Sequence, residues 1–182
     1  MRRLIQILGF LAIVGVTTAQ TTRTELTTAT TPPEDAKPNS DSVPDVYALS
    51  GQFERVLVLR FKYQTALLGG LERMVKEHKI RNAVILSAIG SVRSYHFHTV
   101  SNGALPSKNI YVKNPTGPAD LVSMNGYVID GRVHAHLTLA DPDKAFGGHL
   151  EAGTSVFTFA VVTIGVFKDG IDLSRVDDKT YR

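Results

Sequence analysis

The chain has 182 residues, of which 43% are hydrophobic, with a formal net charge of +3 and no cysteine. That is room for one domain plus a tail, with a core large enough to need no covalent staple. It excludes disulfides and thiolate metal sites, so any metal must rest on His, Asp or Glu. Arg2 and Arg3 fall in a segment expected to be removed; without them the +3 drops to near +1, a weak attraction for a polyanion.

Residues 1–19 read as an export signal. Arg2 and Arg3 form a positive start, and Leu4 to Val16 is apolar apart from Gln6 and glycines. Thr17-Thr18-Ala19 places small residues before Gln20, as a cleavage site requires. The apolar run is shorter than the roughly 20 residues that cross a bilayer, so cleavage is preferred to anchoring and no stable membrane insertion is expected. The expected location is secreted, or periplasmic in a bacterium. Residues 20–45 are rich in Thr, Pro and Ser without an apolar period, which predicts a disordered linker.

The ordered domain is expected over 46–168. Phe53 to Phe61 nearly alternates, a strand pattern. Thr65 is placed to cap a helix running to about His78, with Leu67, Leu68, Leu71, Met74, Val75 and His78 on one face. Asn82 to Ala88 reads as a buried strand ended by Gly90-Ser91, and Val92 to Val100 as a further strand. Ile110 to Val112 is a short strand candidate. Asp130-Gly131, between Asp120–Ile129 and Arg132–Ala140, is the clearest hairpin signal in the chain. A loop is expected from Asp141 to Gly148, then a long last strand over Thr154–Phe167 and a polar tail over 169–182. One helix among six or seven strands predicts an α+β fold, with the helix covering one sheet face.

His134 and His136 lie two apart in a strand, so both project to one face. His149 follows Gly147-Gly148, a pair that lets backbone approach closely, and can bring a third imidazole. Three imidazoles with an open position suit a divalent ion, zinc first. On spacing alone, ordinary half-buried sheet histidines explain the pattern equally well. His96 and His98 repeat the i, i+2 geometry; they either enlarge the site or lie at an oligomer interface, and plain sheet-face histidines are the preferred reading. Asp141 is balanced between orienting an imidazole and capping its own Asp-Pro-Asp turn. Arg93 is a candidate anion contact, with a solvated strand-end charge preferred. Glu151 is the nearest candidate general base.

The run HAHLTLADPDKAFGGHLEAG resembles the His-x-His-x-x-Leu-Ala-Asp and Gly-Gly-His-Leu pattern of the plant-and-prokaryote-conserved (PPC) domain family. NAVILSAIGSVRS and FTFAVVTIGVF are similar to its strand-to-turn segment and last core strand. The resemblance covers about 120 residues in the expected order. It implies an α/β-type fold with a large, mostly antiparallel sheet and one main helix, a homotrimer, and a metal at His134, His136 and His149. Plant members carry the domain behind an AT-hook, absent here, so nucleic-acid binding is disfavoured though not excluded. The expected function is a secreted, homo-oligomeric, metal-binding PPC protein. A metal-dependent hydrolase or lyase and a DNA- or protein-interaction module stand as alternatives. Nothing in the sequence decides whether it is an enzyme or names its ligand.

Overall fold

A computed structural model describes residues 23–29 and 38–176. The expected export signal lies outside the described residues, as does the end of the tail. Eight strands and one helix follow in chain order: β1 (Thr24–Ala29), β2 (Phe53–Lys62), α1 (Leu67–Glu77), β3 (Ala83–Val100), β4 (Lys108–Asn114), β5 (Ala119–Ile129), β6 (Arg132–Ala140), β7 (Ala145–Leu150) and β8 (Ser155–Phe167). All the strand pairings are antiparallel. No described helix is long and apolar enough to cross a membrane.

β3 organises the sheet. Its first half lies between β8 and β5, and its second half between β4 and β7. Because β5 pairs with β6 and β6 with β7, the pairings β3–β5–β6–β7–β3 close a circuit. Alternation along these strands separates two faces. One carries Tyr95, Phe97, Leu137, Phe146 and Leu150, and the rings of Tyr95, Phe97 and Phe146 pack 5.1–6.1 Å apart. The other carries the histidines.

The helix forms as its apolar stripe requires, with Leu67, Leu71 and Val75 buried at four-residue spacing. It packs closely on β2: a Cβ on Gly70 would stand 2.5 Å from Phe61 Cε1. Thr65 is not its cap. The cap position is Ala66, which offers no side-chain hydrogen bond, while the Leu67 amide donates to the Thr154 carbonyl at 2.9 Å. A tertiary contact thus takes over what a capping side chain does elsewhere.

Three further expectations are corrected. β3 runs unbroken through Gly90-Ser91, because a bulge against β8 absorbs the irregularity there. The segment expected as a loop over Asp141–Gly148 holds a strand from Ala145, laid between β6 and β3. Within the Thr-rich stretch expected to be disordered, Thr24–Ala29 pairs with β4, whose outer edge offers unpaired backbone groups. In the tail Leu173 is buried, and the Asn82 side-chain amide donates to the Ile171 carbonyl at 3.0 Å.

Candidate metal centre

Strand register assembles the imidazoles. His136 of β6 is opposite His149 of β7, and His149 is opposite His98 of β3. His98 is in turn opposite Tyr111 of β4. One row across four strands therefore reads His136, His149, His98, Tyr111, with His134 two residues along from His136. Neighbouring strands stand ~4.8 Å apart, which sets the ring separations. His149 is 4.8 Å from His134 and 5.1 Å from His136 between centroids, edge-on to both, while His134 and His136 stack at 5.5 Å.

β7 can occupy this position because of its glycines. A Cβ on Gly147 would meet the Leu137 carbonyl oxygen at 2.0 Å, and one on Gly148 the His98 carbonyl oxygen at 2.2 Å. No side chain fits at either point. The bend that follows is pinned to β3: the Glu151 amide donates to the His96 carbonyl at 3.0 Å. The buried Thr154 hydroxyl donates to that same carbonyl at 3.1 Å and accepts from the His96 amide at 3.0 Å.

One ligand atom from each of His134, His136 and His149 lies within 4.8 Å of the others. A tetrahedral zinc with Zn–N bonds of ~2.0–2.1 Å needs nitrogens roughly 3.3 Å apart. Modest ring rotation closes that gap, so the donor set fits a divalent ion. The His136 ring is held below the usual histidine pKa, first by loss of surrounding water and then by the neighbouring His134 and His98. Its overall side chain is solvent-facing, but the ring stands among other imidazoles. Neutral imidazole is the form that ligates.

The remaining candidates divide. His98 is at the cluster, with Nδ1 2.6 Å from Glu151 Oε1. His96 is turned to structure: its Nδ1 is 2.8 Å from the Ala152 carbonyl oxygen, which requires the proton on that nitrogen. Asp141 Oδ1 accepts from the amides of Asp143 and Lys144 at 3.0 and 2.9 Å, so its carboxylate holds the β6–β7 turn. Arg93 points to a different neighbourhood, donating to Tyr63 Oη at 3.0 Å across that ring's face. Sequence reasoning did not single out Thr154 or Tyr111. The Tyr111 ring lies 4.9 Å from that of His98, and its only sequence signal is its place in the β4 alternation.

The fold agrees with the comparisons. The family model of the Plants and Prokaryotes Conserved (PCC) domain matches residues 48–168. The chain belongs to this family. Three solved structures share the PPC fold. A metal-containing protein from Archaeoglobus fulgidus is 23% identical, with a TM-score of 0.57, covering 75% of this chain and 96% of its own. A plant- and prokaryote-conserved protein from Pyrococcus horikoshii is 22% identical, with a TM-score of 0.55, over 69% and 87%. A hypothetical protein from Salmonella cholerae-suis is 24% identical, with a TM-score of 0.57, over 66% and 83%. No curated protein matches the chain.

Proposed function

We propose that this PPC-domain protein binds one divalent metal ion per chain through His134, His136 and His149, with zinc the first choice. The observation that carries this reading is the convergence of three imidazole donors within 4.8 Å, built from two strands in fixed register. An all-imidazole set suits zinc and its late first-row neighbours. The similar Archaeoglobus protein, described as metal-containing, supports the same direction.

Such an ion supplies Lewis acidity at a fourth, open position. This chain's own residues hold its place: Gly147 and Gly148 seat β7, and the pinned bend at Glu151–Thr154 keeps His149 from sliding. His136 is exposed while His134 and His149 are half-buried, so the donor set is reachable from solvent.

We further propose a homotrimer, exported from the cell. Assembly is supported by an apolar sheet face away from α1, where Val56 and Val58 of β2, Ile89 of β3 and Phe157 and Phe159 of β8 are exposed together. Export is supported by the charged and apolar pattern of residues 1–19. Elemental analysis of protein purified without chelator tests the central reading. About one equivalent of a divalent metal per chain is expected, and metal-free protein at neutral pH contradicts it.

A further inference from the structure

We propose a second divalent-cation site on the same face, formed by His98, Glu151 and His149. It adjoins the tri-imidazole set and shares one ring with it, yet its other two donors are its own.

The β3–β7 pairing brings His98 and Glu151 together from 53 positions apart, with Nδ1 and Oε1 2.6 Å from each other. Donor atoms of His98, His149 and Glu151 all lie within 4.8 Å, and all three residues are half-buried. The His98 and His149 rings stack at 4.5 Å. An ordinary ion pair accounts for His98 and Glu151; His149 adds a third donor within reach of both.

The setting is rigid. Tyr111 backs the His98 ring from β4, and the bend carrying Glu151 is bonded to β3 through the Glu151 amide, the His96 ring and the Thr154 hydroxyl. Donors fixed by their surroundings bind ions with little ordering cost. An ionised carboxylate only accepts hydrogen bonds, so in the metal-free state Nδ1 of His98 carries the proton. A cation entering between Nδ1 and Oε1 takes the Nδ1 lone pair, and the ring's one proton moves through solvent to Nε2, so the ligating imidazole stays neutral. Two imidazoles and one carboxylate form a harder set than three imidazoles, open to Mn(II) and Fe(II) as well as Zn(II).

The test separates the two sites. Zn2+ is titrated into the purified protein and into His134→Ala/His136→Ala, with bound metal counted after desalting. The proposal expects the double variant to retain about one Zn2+ per chain. Adding the isosteric Glu151→Gln, or His98→Ala, is expected to weaken that binding by at least about tenfold. If the unaltered protein binds Zn2+ and the double variant, still folded by circular dichroism, binds none, this site is overturned and the tri-imidazole reading stands. Should the unaltered protein bind only about one Zn2+ per chain, the double variant keep all of it, and His98→Ala alone abolish it, this site stands and the tri-imidazole reading falls. Where the double variant does not fold, Glu151→Gln alone decides: a Zn2+ titration identical to that of the unaltered protein overturns the proposal.

Discussion

His149 sits directly opposite His136 on one side and His98 on the other, its ring 5.1 and 4.5 Å from theirs. This position between two strands makes it the common member of both donor sets. It also makes the seating of β7 the feature on which the centre depends.

Gly148→Ala tests that seating. Its methyl would stand 2.2 Å from the His98 carbonyl oxygen, a backbone atom that cannot swing aside, and 3.2 Å from Phe97 Cδ2. A loss of about 3 kcal/mol is expected from such overpacking, which lowers Tm by on the order of 10 °C. Metal content should fall with it. Thermal melting and elemental analysis check both.

The pH dependence follows from His136. Its folded pKa lies below the ordinary value near 6.5, because burial and then His134 and His98 oppose its charge. Above that value the ring is neutral in folded and unfolded chains alike and contributes no pH dependence. As pH falls below it, the unfolded chain takes up a proton that the folded chain resists, so stability drops until the folded pKa is passed. The Tm of metal-free protein is therefore expected to decline as pH is lowered from about 7, and His136→Gln to decline less. Melting curves across that range read the difference.

Leu71→Ala separates stability from metal binding. Leu71 is 2% exposed on the inner face of α1, an element that carries none of the imidazole donors. A destabilisation of about 2–5 kcal/mol is expected in denaturant melts, with metal per folded chain unchanged.

Assembly is tested on the exposed face. Val58 is 68% exposed although its pattern is that of an apolar strand. Val58→Glu should leave the monomer fold intact and turn a trimer into monomers by light scattering. A variant that keeps the oligomer places the interface elsewhere.

Local chemistry made much of this fold legible. Asp130-Gly131 turns the β5–β6 hairpin with φ of 48° and 79°, the left-handed geometry that dipeptide favours, and Leu67, Leu71 and Val75 fall on the buried helix face. β7 was hidden because Ala-Phe-Gly-Gly-His-Leu has no β-branched residue and two glycines; its pairing comes from the carbonyls it approaches, not from propensity. The Thr65 cap failed because the Thr154 carbonyl, 89 positions away, receives the helix's first amide. The spacing of His134 and His136 pointed to a shared face. The partnership of His98 with Glu151 did not show, because only the β3–β7 register creates it.

Diffraction data collected at a metal absorption edge, from crystals of the protein purified without chelator, test the central claim most directly. The predicted result is an anomalous peak ~2.0–2.1 Å from one ring nitrogen each of His134, His136 and His149. Ordered imidazoles with no peak among them, in crystals grown with added Zn2+ at neutral pH, contradict it.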